Sequence, residues 1–381
     1  MTTLPFINKF TSVKKFINKM KHLKSMLFKQ SSLWNHVPVR FGSFYLPLHD
    51  RYKGFDNSIN QIIDEVRKER KYLHLIPKIE NKIQLATKFN VAGGNNISSQ
   101  IMLNSFEMIE NPENITAETI NQAFVLAWAA QMTEAHQKIS EEAKLGPTAS
   151  KQKHSEVAVK DGNLLRSFMY AMLEQKFQNT KKYRDILQLF NKAFLYGVIS
   201  QYQNNPINIT NKCANINSSY YQMLCDYKVS FIYFELPLLL AMKLSNKTDV
   251  NLQENVHNIC SQMGMLYQIQ EDIQNCFGDE TIIGTEGTDI QEGKCTWLAV
   301  TALQRFTPHQ RVVFEACYGS DEPAHIERVK LLYKQMQLDQ LLREEEGALY
   351  ESIMQNSEMV EKSGIPCKLF ENLLEAIRNP F

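Results

Sequence analysis

The stretch "YQIQEDIQNCFGDE", residues 267–280, places carboxyl or amide side chains at Glu271, Asp272, Asn275 and Asp279. Positions i, i+4 and i+8 of an α-helix lie on nearly one face, so Glu271, Asn275 and Asp279 can form a stripe, with Gly278 making Asp279 a helix-end position. Such oxygens suit magnesium, which keeps several waters and binds through one or two carboxylates together with substrate phosphates. The ordinary alternative is the solvated face of a helix. A second cluster, "SEEAK" at 140–144, supplies Glu141 and Glu142 near the end of another helical pattern. Two acidic helix ends facing each other would clamp a metal; the same acids beside Lys144 also describe an exposed terminus with local charge pairing.

The elements that must carry these clusters are helical. From about residue 56 onward apolar residues recur at helical spacing, and no stretch alternates as a strand does. The pattern predicts helices over 57–72, 77–91, 97–110, 117–144, 160–178, 181–203, 217–244, 250–276, 293–305, 308–318, 323–337, 339–357 and 366–378. "GPTASKQKHS" at 146–155 and "FGDETIIGTEGTD" at 277–289 read as loops, and Thr116 as a cap. No repeat or linker divides the chain. The expectation is an all-α protein with one large helical domain over 51–381, preceded by a basic leader over 1–50.

Composition narrows the functions. The 381 residues hold 42 lysines and arginines against 41 acids, a balance that gives no reason to expect nucleic acid as partner. The seven cysteines are odd in number, lack metal-ligand spacing and read as reduced thiols of an intracellular protein. The longest apolar run, "LPLLLAM" at 236–242, falls far short of the roughly 20 residues a membrane span needs. No acid precedes Asp50, while Lys9, Lys14, Lys15, Lys19, Lys21, Lys24, Lys29 and Arg40 do. That bias fits either a transit peptide or a loose basic tail. The expected location is cytoplasmic, with mitochondrial as the alternative.

The 267–280 stretch, followed by "GTDIQEGKCTWLAVTALQRFTPHQ" at 287–310, resembles the second aspartate-rich region and following helix of the farnesyl diphosphate synthase family of trans-prenyl diphosphate synthases. The resemblance extends to "DYKVSFIYFELPLLLAM" at 226–242, "FNVAGGNN" at 89–96 and "VKDGNLLRSFMYAML" at 159–173. It implies an isoprenoid-synthase helical bundle with a central active-site cavity, a prenyl diphosphate substrate, Mg2+ as cofactor and a homodimer. Carried over residue by residue, the metal ligands are Glu141, Glu142, Glu271, Asp272, Asn275 and Asp279, and the diphosphate ligands are Lys151, Lys228, Gln268 and Lys294. The family's D-D-x-x-D appears here as "EEAKL", where Leu145 removes a ligand, and as "EDIQN". Ser150 replaces one arginine of a pair, leaving Lys151, a flexible point charge, for the other.

The resemblance places the pocket of the second substrate, isopentenyl diphosphate, at a lysine and arginine just after a Gly-Gly pair; Asn95 and Ser98 stand there instead. The tail "AIRNPF" lacks the family's basic finish, and His136 and Gln137 replace the bulky residues of the chain-length wall. A site that has lost its co-substrate pocket reads as a single-substrate terpene synthase. In that reading Glu271, Asp272 and Lys228 are catalytic, farnesyl diphosphate ionises to a sesquiterpene, and the insect terpene synthases derived from this family add a pheromone role. The alternatives are a non-catalytic paralogue acting as a modifying subunit and a divergent farnesyl diphosphate synthase-like prenyltransferase.

Overall fold

The structure is a computed structural model that describes residues 46–69, 83, 96–142, 149–203, 213–278 and 287–378. The elements are α1 (Phe55–Glu69), α2 (Ile97–Ile109), α3 (Ala117–Glu142), α4 (Ala149–Phe177), α5 (Tyr183–Gln203), α6 (Ser218–Cys225), a π-helical segment (Asp226–Glu235), α7 (Leu236–Leu244) and α8 (Val250–Phe277). A shorter set follows: α9 (Asp289–Glu292), α10 (Trp297–Leu303), α11 (Pro308–Cys317), α12 (Pro323–Gln335), α13 (Leu338–Glu361) and α14 (Cys367–Arg378). There is no strand among the described residues, as the helical periodicity predicts. None of their helices is long and apolar enough to cross a membrane.

Helix α8 shows why these elements form where they do. Asp249 caps it by accepting from the Leu252 N–H at 2.8 Å, which satisfies one of the donors left open at a helix start. Val256, Ile259, Cys260, Met263, Leu266 and Tyr267 then bury one side against the larger apolar cluster, while Ile269, Ile273 and Cys276 enter a second cluster built with α10, α11 and α12. The helix stops at Gly278. Its two halves therefore join two cores, and its acidic end lies where they meet.

Helices α6 and α7 run continuously through the π segment. The Leu236 N–H reaches the Phe231 carbonyl, five residues back, and Pro237 follows with no N–H to give. Gly264 of α8 lies against Ser230 of this segment, where an added Cβ would fall 2.5 Å from the Ser230 Cα. Only glycine permits that approach.

Two departures from the predicted helices are the largest. Helix α4 begins at Ala149, inside the predicted 146–155 loop, because Pro147 is the last helix breaker before Gly162. The predicted 293–305 helix is divided: Gly293, at φ 65°, ends α9, and Thr296 starts α10 by accepting from the Ala299 N–H at 3.1 Å. Residues 1–45 of the basic leader, and all of the predicted 77–91 helix except Ile83, lie outside the described residues. All seven cysteines are free.

Candidate active site

Lys228 projects from the π segment and meets the end of α3, where its Nζ lies 3.3 Å from Glu141 Oε2. Gln137, one turn earlier on α3, donates to the Lys228 carbonyl at 3.2 Å and to Glu141 Oε1 at 3.5 Å. Lys294, between α9 and α10, pairs with Asp289 Oδ1 at 2.9 Å and Glu292 Oε2 at 3.0 Å. Burial, the largest influence, lowers the Lys228 pKa and Lys294 adds to that, but Glu141 and Asp289 together overcome them and the net shift is upward. Lys294 is also raised, its burial overcome by Asp289 and Glu292. Both lysines are therefore cations at neutral pH, and they lie close enough to act on one another.

Glu271 enters the same field. Burial raises its pKa against the Tyr267 hydroxyl, Lys228 and Lys138, which favour its ionised form. Its neighbour turns the other way. Asp272, 3% exposed, accepts from the Tyr221 hydroxyl at 2.9 Å and the Trp297 N–H at 2.7 Å on Oδ2, and from Gln268 Nε2 at 2.7 Å on Oδ1. Burial and then Asp289 push its pKa up to about 7, against the three donors. Asn275 Oδ1 is likewise occupied, accepting the Asp289 N–H at 3.0 Å.

Asp272 Oδ2 accepts at the start of α10 and Asn275 Oδ1 at the start of α9, while Asp272 Oδ1 takes the Gln268 amide. Gln268 directs its amide at Asp272 rather than at a diphosphate. Asp279 lies outside the described residues; Glu142 ends α3 and Lys151 lies in the first turn of α4, but their side chains are outside the description. Among the described residues, no three His, Cys, Asp or Glu side chains converge. Glu141 and Glu271, on different helices, both act on the Tyr233 hydroxyl, and such a pair suits magnesium when substrate phosphates complete the shell.

Ser98 is buried at the start of α2. Its hydroxyl donates to Glu134 Oε2 at 2.8 Å and its N–H to the same oxygen at 3.3 Å. His136 Nδ1 is 3.0 Å from the Gly162 carbonyl, the ring meets Phe194 edge-on, and burial lowers its pKa; it acts as a neutral packing group. Asp289, Glu134 and Tyr221 are site residues that the motifs did not single out. Glu134, Lys138 and Glu141 follow helical spacing on α3, a signal that was present; nothing local marked Tyr221 or Asp289.

Long helices on two joined cores, with paired lysines and acids where α3, α8 and the π segment meet, describe an isoprenoid-synthase-type fold. The polyprenyl synthetase family model matches residues 80–336, and the chain belongs to that family. It is 30% identical over 314 residues to the farnesyl pyrophosphate synthase of Nezara viridula, covering 78% of this chain and 76% of that one. The farnesyl pyrophosphate synthase of Murgantia histrionica is 29% identical over 322 residues, with 79% and 76% covered. The solved T. brucei farnesyl pyrophosphate synthase superposes with a TM-score of 0.75 at 22% identity, over 86% of this chain and 98% of that one, which supports the all-α fold. These relatives overturn the expectation of a terpene synthase lyase: they are synthases that build a prenyl diphosphate. The departures at "EEAKL" and "EDIQN" therefore occur within a prenyltransferase family and do not by themselves mark a change of reaction class.

Proposed function

We propose that this protein is a divergent prenyltransferase of the farnesyl diphosphate synthase type, joining an allylic prenyl diphosphate to isopentenyl diphosphate. The observation that carries the reading is the Lys228–Lys294 pair, two cations held by Glu141, Asp289 and Glu292 where α3, α8 and the π segment meet. Each lysine can release its carboxylate partner to a diphosphate, whose several oxygens bind ammonium more strongly than one carboxylate does. When bound, magnesium would neutralise the departing diphosphate, with Glu141 and Glu271 as its protein ligands.

In the reaction the allylic C1–O bond breaks and diphosphate leaves with the electron pair. The double bond of isopentenyl diphosphate attacks C1, a new C–C bond forms, and the released diphosphate takes the proton from the carbon next to the new cation. Lys228 and Lys294 stabilise charge where it accumulates, on the leaving group. Tyr233, set among Glu134, Glu141 and Glu271, stays protonated and presents a neutral hydroxyl.

Purified protein given Mg2+ and geranyl diphosphate, with and without isopentenyl diphosphate, tests the reading. Mass spectrometry is expected to show a longer prenyl diphosphate only when both substrates are present. A product from geranyl diphosphate alone would overturn the two-substrate reaction. No turnover under either condition would leave the non-catalytic subunit.

A further inference from the structure

Gln137 lies one turn before Glu141 on α3 and is only 5% exposed. Its Nε2 donates to the Lys228 carbonyl at 3.2 Å and, more weakly, to Glu141 Oε1 at 3.5 Å. The Lys228 ammonium in turn meets Glu141 Oε2 at 3.3 Å. One turn of α3 thus holds Lys228 twice, by its backbone and by its charge. That turn is itself fixed, since His136 Nδ1 lies 3.0 Å from the Gly162 carbonyl of α4 and Ile139 packs into the larger core. Gln137 Oε1, by contrast, is buried with no partner among the described residues. A buried acceptor left open is costly, and a methionine or leucine of similar size would avoid that cost. Turning the amide over would not help, because it would set an oxygen against the Lys228 carbonyl and Glu141, both acceptors. The donor side of the amide is therefore the part this position uses.

We infer that Gln137 is a positioning residue: by holding the Lys228 carbonyl it fixes where the Lys228 ammonium meets a diphosphate. The inference rests on the reading of Lys228 as a diphosphate-binding cation proposed above. π-helical turns are rare and usually single, whereas the segment that carries Lys228 runs for 10 residues, Asp226–Glu235. Lysine adds a flexible four-carbon stem, so its charge is placed only as well as its backbone and its partner place it. When a diphosphate takes the place of Glu141 on the ammonium, that partner is lost, while the Gln137 bond to the carbonyl stays. The bond then keeps the segment, and with it the cation, against α3.

Gln137→Met keeps the length of the side chain and removes its donor. The probe is geranyl thiolodiphosphate, whose carbon–sulfur bond resists ionisation, titrated calorimetrically into the full chain with Mg2+ present. Binding is expected to be about tenfold weaker in Q137M, or about 1.4 kcal/mol. In a Lys228→Met background the same substitution should change affinity by less than about twofold, because no charge is left to position. A merely structural role would weaken binding by the same factor in both backgrounds, and that result overturns the inference. Unchanged affinity in Q137M overturns it too. If Q137M fails to fold, Gln137→Asn, whose amide is a methylene too short to reach the carbonyl, should show the same loss; unchanged affinity there is equally fatal. Wild-type protein that binds the analogue but makes no longer prenyl diphosphate from both substrates would count against the prenyltransferase reading alone. Wild-type protein that does not bind the analogue would overturn both.

Discussion

Replacing Asp272 by asparagine separates an anchoring carboxylate from a metal ligand. The native protein holds a proton on Asp272 up to about pH 7, whereas the unfolded chain releases it near the ordinary aspartate value of 3.8. Between these values the native state binds more protons than the unfolded state, so stability falls as pH rises. The gap spans about three pH units at 1.36 kcal/mol each, or roughly 4 kcal/mol. The amide of D272N does not titrate. Relative to wild type, D272N should therefore gain stability from pH 4 to pH 7 and level off above. At the acid end it should be the weaker protein, since an asparagine NH2 facing the Trp297 N–H and Tyr221 hydroxyl leaves buried donors unmet, at about 1–3 kcal/mol each. Urea denaturation at pH 4, 5, 6, 7 and 8 reads the difference, with other titrating groups cancelling between the proteins. Parallel curves for the two proteins would refute the reasoning, because Asp272 would then carry the same charge folded and unfolded.

The remaining predictions are these. Glu271→Gln and Glu141→Gln should each lower kcat/KM for the allylic diphosphate by about 10²-fold or more, measured by steady-state kinetics, and Glu141→Gln should change stability by less than about 1 kcal/mol, since the Glu141–Lys228 pair is partly solvated. Lys294→Gln should raise the allylic KM by about tenfold or more through loss of a charge-assisted contact, with Asp289 and Glu292 left uncompensated; an unchanged KM would remove Lys294 from the site. His257 Nδ1 lies 2.7 Å from Glu235 Oε2, and that hydrogen bond, against burial, raises its pKa. Its stabilisation should be complete below the unfolded value near 6.5 and fade as pH rises through the higher folded value; the His257→Gln protein should lack that segment of the melting curve against pH. Gly264→Ala should cost about 1–3 kcal/mol by chemical denaturation, and adding Ser230→Ala should not restore it, because the clash includes the Ser230 Cα.

Much of the fold was legible in the chain because helices announce themselves locally. For α8, the Asp249 cap, the apolar residues at helical spacing and the stop at Gly278 all lie within the segment they define. Where local reading failed, a weak signal was overridden: a loop-like composition after Pro147 proved able to extend α4 back to Ala149, and Gly293 split a pattern that read as one helix. The reaction class failed for another reason. Substituted motif residues were read as lost chemistry, yet the relatives remain synthases that build a prenyl diphosphate.

By itself, the sequence determined an all-α protein of the polyprenyl synthetase family and the acids and lysines from which its site is drawn. It could not determine which oxygens those acids leave free. "EDIQN" has one helical spacing, but Glu271 joins Lys228 while Asp272 and Asn275 cap the starts of α10 and α9. Ser98 likewise looked like an absent cation until Glu134 was found bound to it from α3. The physical reason is that buried donors and carboxylates must find partners, and those partners come from segments that only tertiary packing brings together.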